Sequence, residues 1–118
     1  FGGYKVQGRD KERREIVLHD ALAVEEAGAF AVVLEGMPVD LAQEITGRLA
    51  IPTIGIGAGG HCEGQVLVAH DMLGLFDDFT PKFVKQYADL KRIISGAVKQ
   101  FVAEVKEREF PAAEHSFK

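Results

Sequence analysis

The order of elements along this sequence predicts an α/β fold with a parallel sheet. Two apolar runs, residues 29–34 and Thr53–Ile56, lack polar alternation, which is typical of strands covered on both faces. A helical pattern lies between them, so the unit is predicted to be β-α-β. Because two or three strands leave faces and edges uncovered, we expect part of a larger fold or a chain that depends on a partner.

The first helix is predicted over residues 11–27, with Asp10 as its amino-terminal cap and Gly28 after its end. A narrow apolar stripe is expected to meet the sheet, formed by Leu18, Ala21, Leu22 and Glu25. Charges of both signs crowd the helix start and indicate a solvated surface: Arg9, Asp10, Lys11, Glu12, Arg13, Arg14 and Glu15.

The second helix is predicted to open at Pro38, because proline suits the first turn of a helix. Ile51 and Pro52 end it and lead into the second strand. Its predicted buried stripe consists of Leu41, Ala42, Ile45 and Leu49.

The next segment has a weaker pattern. Residues 65–68 predict a short strand that runs into a helical turn at 70–74, although this stretch also fits helical spacing. A turn and a helix start are predicted from Asp77, Asp78, Thr80 and Pro81.

The clearest helical pattern spans residues from about 90 to 109, with Phe110 and Pro111 ending it and an aperiodic tail after them. Its apolar stripe is expected to be packed and comprises Ile93, Ile94, Ala97, Val98, Phe101, Val102 and Val105. Its basic residues predict a solvated face, with an oligomer contact left open: Lys91, Arg92, Lys99, Lys106 and Arg108.

Composition favours an ordinary globular protein, since 47% of the 118 residues are hydrophobic and 27% are charged. A net charge of -4 argues against broad nucleic-acid binding, and no apolar run has the length of a membrane span. The start at Phe1 lacks the apolar region of a signal peptide and looks cut. Cys62 is the sole cysteine, which excludes an internal disulfide within these residues and fits a reducing, cytoplasmic location.

Glu35 is the principal candidate for chemistry, because it ends a buried run and is followed directly by Gly36, Met37 and Pro38. Enzymes built on parallel sheets carry their active sites where strands end. Partial desolvation there would favour general-base chemistry near neutral pH. The alternative is a rim glutamate that simply meets solvent.

Gly55, Gly57 and Gly60 match the spacing G-x-G-x-x-G, which is typical of dinucleotide sites when a helix follows at once. Residues 61–64 instead indicate a loop, so we expect a loop at the catalytic edge in which small residues let backbone approach a ligand. Two adjacent pairs, His61 with Cys62 and His70 with Asp71, would diverge on any regular element, and structural roles are favoured over metal binding.

Five segments together resemble the carboxy-terminal half of the ketopantoate hydroxymethyltransferase family: FGGYKVQGR at 1–9, VLEGMP at 33–38, IPTIGIGAG at 51–59, DMLG at 71–74, and FP at 110–111 with EHSF at 114–117. The resemblance implies that residues 1–118 are the carboxy-terminal part of one (β/α)8 barrel domain, a TIM barrel of the phosphoenolpyruvate/pyruvate superfamily. It also implies a cytoplasmic enzyme, a homodecamer in bacterial members. The implied reaction moves a hydroxymethyl group from methylenetetrahydrofolate to 3-methyl-2-oxobutanoate, giving 2-dehydropantoate for pantothenate and coenzyme A.

Through this resemblance, Glu35 takes the position of the proton acceptor that removes the C3 proton of the oxo acid. The family's Mg²⁺ holds the oxo acid, but its acidic ligands and a substrate-holding lysine belong to earlier strands outside this sequence. This chain is therefore expected to carry the base without a metal site and to be inactive alone. Folate-contacting residues stay unassigned. The alternatives are a class II aldolase or lyase acting on oxo acids, and a non-catalytic assembly or regulatory module.

Overall fold

The computed structural model describes residues 6, 8–76 and 78–118. Predictions that concern residues 1–5, Gln7 and Asp77 lie outside the described residues. The elements, in chain order, are α1 (Lys11–Glu26), β1 (Val32–Glu35), α2 (Val39–Arg48), β2 (Thr53–Ile56), β3 (Gly64–Gln65), α3 (Ala69–Met72), α4 (Leu90–Lys106) and a 3₁₀ turn at Ala113–His115. Within the described part of the chain, no helix has both the length and the apolar character needed to cross a bilayer.

The chain divides into two compact units. The first unit contains the described residues up to Val68 together with Pro81–Val84, and the second contains Ala69–Thr80 and Lys85–Lys118. The first unit therefore holds α1, α2 and all three strands, whereas the second holds α3, α4 and the tail.

The sheet of the first unit is parallel throughout, with strand order β1-β2-β3. Val32 pairs with Thr53 at one end of the β1–β2 ladder and Glu35 pairs with Ile56 at the other. The predicted α/β class and the parallel β-α-β unit are confirmed. The described residues form a three-stranded sheet and not a closed barrel.

In the first unit, the core lies between one face of the sheet and helices α1 and α2. Leu41, Ala42 and Ile45 of α2 are almost completely buried and pack with Leu34 of β1. Leu49 is also buried, so the predicted stripe of α2 is confirmed. The sole fully buried polar side chain among the described residues, Thr53, has its hydroxyl 2.9 Å from that of Thr46. Burial therefore leaves this polar atom with a partner.

Helix α1 begins as predicted, because the Asp10 carboxylate accepts a hydrogen bond from the Arg13 amide at 2.8 Å. Its predicted stripe is only partly right. Leu18 and Ala21 are buried, but Leu22 is exposed. Leu22 lies outside the buried face because the face of α1 that contacts the rest of the unit is narrow.

Two charged residues of α1 make contacts that their sequence pattern does not predict. Arg14 was expected at a solvated surface, yet its side chain is mostly buried and lies 3.1 Å from Asp40 and 3.6 Å from Glu44 of α2. Glu25 accepts hydrogen bonds from the backbone amides of Ala50 (2.6 Å) and Ile51 (3.1 Å). These contacts join α1 to α2 and to the loop that follows α2.

Strand β1 begins three residues later than predicted. The Ala29 amide still donates to Val24, so residues 29–31 close the preceding helix, and Phe30 is 90% exposed. The expectation that β1 is covered on both faces is wrong for this chain, since Val33 is 54% exposed. Among the described residues of the first unit, helices α1 and α2 lie against the opposite face, that of Leu34.

Between the sheet and α4, two predictions change. The short strand is confined to Gly64–Gln65, and the helical turn is Ala69–Met72. The helix start at Pro81 is wrong, because residues 81–84 form a turn closed by the Val84 amide donating to Pro81, and the following helix starts at Leu90.

In the second unit, α4 ends at Lys106, three residues before the predicted end. Arg108 adopts a positive φ of 61°, and Phe110 packs its ring against Phe101 and His115 at centroid distances of 5.6 and 5.2 Å. The tail thus folds against the helix end. The predicted stripe of α4 is exposed in this chain, contrary to the packed stripe expected from its pattern.

Candidate active site

The carboxyl ends of the three parallel strands lie at one edge of the sheet. Glu35 is the last residue of β1, and its strand neighbour is Ile56, the last residue of β2. Gln65 ends β3 at the same edge. Sequence reasoning placed Glu35 at the end of a strand, and the structure confirms that position.

Alternate residues of the strands separate two faces of the sheet. Leu34 and Thr53 point to the helix side and are buried. Glu35 lies on the opposite face, whose other members are the apolar side chains of Val33, Ile54 and Ile56. The carboxylate therefore stands at the rim of an apolar strip.

The Glu35 side chain is exposed in this chain, so the expected partial desolvation is not observed. The cause is its position on the face that the helices do not cover. Within the described residues, its carboxylate takes part in no hydrogen bond or ion pair. The carboxylate is therefore accessible and lies beside apolar side chains, and the described residues do not enclose it.

The turn after Glu35 is tied to the next strand by backbone hydrogen bonds. The Gly36 amide donates to Ile56 at 2.9 Å, and the Met37 amide donates to Gly57 at 3.1 Å. Pro38 follows and caps α2. The backbone on both sides of the carboxylate is therefore fixed: β1 pairs with β2 before it, and the turn is bonded to the glycine-rich loop after it.

The glycine-rich loop directly follows β2. Residues 57–63 form this loop and β3 begins at Gly64, so the helix that a dinucleotide site requires after Gly60 does not occur. The predicted loop at the strand ends is confirmed. The Val39 side chain lies close to the Gly59 backbone. A β-carbon at Gly59 would lie 2.7 Å from Val39 Cγ2, which leaves no room for a side chain at residue 59.

The two adjacent pairs considered as metal ligands, His61 with Cys62 and His70 with Asp71, show structural contacts or exposure. His61 is exposed, whereas Cys62 is buried in the core cluster. His70 belongs to α3 in the second unit and stacks on Phe76 at 5.2 Å. Among the described residues, no three His, Cys, Asp or Glu side chains are grouped so that they could hold a metal ion.

Sequence reasoning missed one residue at this edge. The Gln65 side chain crosses β2 and donates to the Gly59 carbonyl at 2.9 Å. The signal available in the sequence was a long polar residue that follows a glycine-rich loop by a few positions, but the strand register that places Gln65 opposite Gly55 is visible only in the structure.

Comparison with known proteins gives one consistent result. The family model described as ketopantoate hydroxymethyltransferase matches residues 1–113. The chain is 62% identical to the 3-methyl-2-oxobutanoate hydroxymethyltransferase of Geobacter sulfurreducens and 64% identical to that of Trichlorobacter lovleyi, over 117 residues in each case. Each match covers 99% of this chain and 44% of the relative. The chain thus spans under half the length of the curated relatives it matches.

Proposed function

The chain belongs to the ketopantoate hydroxymethyltransferase family, as its motifs predicted, and we propose that the complete protein transfers a hydroxymethyl group from methylenetetrahydrofolate to 3-methyl-2-oxobutanoate. The product would be 2-dehydropantoate, on the route to pantothenate. The names of the relatives support the activity and the oxo-acid substrate. The 118 residues would form the carboxy-terminal part of a single (β/α)8 barrel domain, to which the parallel β-α-β unit contributes.

In this proposal Glu35 is the general base. It would remove the proton from C3 of the oxo acid, and the electron pair of that C–H bond would form the enolate. C3 of the enolate would bond to the methylene carbon, both bonds from that carbon to the folate nitrogens would break, and the nitrogens would take up protons as tetrahydrofolate leaves. Water would supply the oxygen of the new hydroxyl group. The observation that supports this role most strongly is the position of Glu35, at the carboxyl end of β1 on the face opposite the helices. In a barrel built of parallel strands, that end carries the active site.

The apolar neighbours of Glu35 fit this chemistry. Val33, Ile54 and Ile56 share its face, and the substrate carbon that loses the proton carries two methyl groups. Covering this face would surround both carboxylate and substrate with apolar atoms, and desolvation makes a carboxylate a more effective base.

Mg²⁺ is part of the proposal for the complete protein, but the residues described here do not offer a site for it. Its ligands and the lysine implied by the family resemblance would come from outside this sequence. When bound, the ion would polarise the keto group of the oxo acid. These 118 residues would contribute the carboxylate of Glu35 and the backbone that positions it.

The complete protein is proposed to be a cytoplasmic homo-oligomer, a decamer by family resemblance, that binds small molecules and neither nucleic acid nor membrane. The net charge of -4 supports the absence of nucleic-acid binding. Size-exclusion chromatography with light scattering of the complete protein tests the assembly, and a monomer would contradict it.

The activity is tested by exchange of the C3 proton of 3-methyl-2-oxobutanoate in D₂O, followed by NMR in the complete protein with Mg²⁺. We expect exchange in the natural protein and its loss in Glu35→Gln, with little change in affinity for the oxo acid. Glu15→Gln, an exposed glutamate of α1, is the matched control and should retain exchange.

Three outcomes separate the alternatives. Undiminished exchange in Glu35→Gln would remove Glu35 from the mechanism. Exchange without formation of 2-dehydropantoate from methylenetetrahydrofolate would favour an aldolase or lyase acting on oxo acids. A natural protein that neither exchanges the proton nor forms product would favour a non-catalytic assembly module.

A further inference from the structure

We infer that Gln65 is a positioning residue for Glu35 and acts through the glycine-rich loop, an inference that rests on the function proposed above. Gln65 itself ends β3, two strands away from the carboxylate. Its influence would pass through three contacts of the first unit, each of which is made by named atoms.

The first contact joins Gln65 to the loop. Gln65 pairs with Gly55 in the β2–β3 register, and its side-chain amide donates to the Gly59 carbonyl at 2.9 Å. A β-carbon at Gly55 would lie 3.1 Å from the Gln65 side-chain oxygen and 3.0 Å from Cys62 Sγ. Because residue 55 lacks a side chain, Gln65 can extend across β2 and reach the loop beyond it.

The second contact holds Gly59 from the other side. Gly59 has a φ of 79°, which side-chain-bearing residues rarely adopt, and its Cα faces Val39 at the start of α2. Gly59 is therefore held between the Gln65 amide and the Val39 side chain. Without the Gln65 donor, one of these two restraints is lost and the loop can shift.

The third contact carries the loop position to the base. Ile56 ends β2 and Gly57 begins the loop, and their carbonyls accept the hydrogen bonds from the Gly36 and Met37 amides that fix the turn after Glu35. A shift of the loop would therefore be transmitted to the backbone next to the carboxylate. Misplacement of a catalytic group by about 1 Å can cost about 100-fold in rate.

A purely structural role for Gln65 makes a different prediction. Loss of one hydrogen bond would then lower stability and leave the chemistry of the folded enzyme unchanged. The two roles are separated by measuring the proton-exchange reaction itself, with its kcat and KM, together with the pH dependence of a variant in which the donor can be restored.

The experiment uses the complete protein with Mg²⁺ and compares Gln65→Ala with Gln65→Glu in the C3 exchange assay. We expect Gln65→Ala to lower kcat for exchange about 10-fold and to change KM for the oxo acid less than about twofold. In Gln65→Glu the ionised carboxylate can only accept, whereas the protonated acid can donate to Gly59. Its exchange rate relative to the natural protein should therefore be low at pH 8 and rise as the pH falls toward 5.

Gln43, an exposed residue of α2, supplies the matched controls. Gln43→Ala and Gln43→Glu should exchange the C3 proton at the rate of the natural protein at each pH. The inference would be overturned if both Gln65 variants exchanged the C3 proton as fast as the natural protein. It would also be overturned if the exchange rate of Gln65→Glu showed the same pH dependence as that of Gln65→Ala. Failure of both Gln65 variants to fold would also overturn it, in favour of a structural role. Absence of exchange in the natural protein would instead overturn the proposed function, and the inference with it.

Discussion

Helices α2 and α4 show the same kind of apolar stripe with opposite outcomes. In α2 the stripe is buried, with Leu41 1% and Ile45 0% exposed. In α4, which is seven residues longer (17 against 10), Ile93 is 58% and Val98 55% exposed. The comparison teaches that helical periodicity identifies the face that requires a partner, but not whether that partner lies within the same stretch of chain.

The sheet repeats this contrast on its two faces. Leu34 is 3% exposed on the helix side, and its neighbour Val33 is 54% exposed on the other. Glu35 belongs to the uncovered face. Under the proposed function, we expect the uncovered surfaces and Glu35 to be covered in the complete protein by residues other than these 118, since the chain spans 44% of the length of its relative.

The largest expected effect concerns activity. The 118-residue chain alone should not exchange the C3 proton of 3-methyl-2-oxobutanoate, because the proposed metal ligands lie outside it. Addition of the remaining part of the complete protein as a separate polypeptide, with Mg²⁺, should restore exchange measured by NMR. The same mixture made with a Glu35→Gln chain is the control and should stay inactive. Exchange by the chain alone would show that the uncovered faces need no partner.

The substitution Ile45→Ala tests the buried stripe of α2. This side chain is fully buried, so its truncation should lower the free energy of unfolding by about 2–5 kcal/mol in urea denaturation of the chain. Ile16→Ala, in which the residue is 54% exposed on α1, should change it by less than about 0.5 kcal/mol. Equal effects would mean that the core described here does not determine stability.

Glu25→Ala tests the polar contact between α1 and the loop after α2. The variant leaves the amides of Ala50 and Ile51 without their carboxylate acceptor and should cost about 1.5 kcal/mol. Faster hydrogen exchange at both amides should accompany this loss. Glu26→Ala, an exposed neighbour, serves as control, and an equal loss there would deny Glu25 its specific role.

The smallest effect is the most informative about α4. In the chain alone, Val98→Ala should leave stability unchanged or raise it by up to about 0.5 kcal/mol, because alanine has the higher helix propensity and the valine is exposed. In the complete protein the same substitution should be destabilising. Thermal denaturation of both forms measures the change of sign, and a stabilising effect in both would show that α4 stays uncovered.

Local signals predicted much of this fold. Pro38, the apolar spacing of α2 and the breaks around Pro52 were sufficient to place α2 and β2. The turn at Pro81 was misassigned as a helix start, because a proline with preceding acidic residues fits both structures. Sequence position was likewise sufficient to place Glu35 at a strand end, whereas its role as the base is a prediction that rests on the family resemblance.

Contacts between distant polar side chains could not be predicted in this way. Glu25 was assigned to an apolar stripe from its spacing, whereas it binds two backbone amides 25 and 26 positions away. Gln65 was assigned only to a short strand at 65–68, whereas its contact with Gly59 follows from the β2–β3 register. Such contacts depend on tertiary geometry, which hydrophobic patterning does not encode.

The register of the sheet has a consequence for the order in which the chain folds. Val32 pairs with Thr53, 21 positions later, and Ile54 pairs with Gly64, 10 positions later. Pairing of these strands closes only short loops, for which the entropic cost is low. We therefore expect the β-α-β unit to form early in folding, as a small nucleus presenting Glu35 on a face still open to the partner strands.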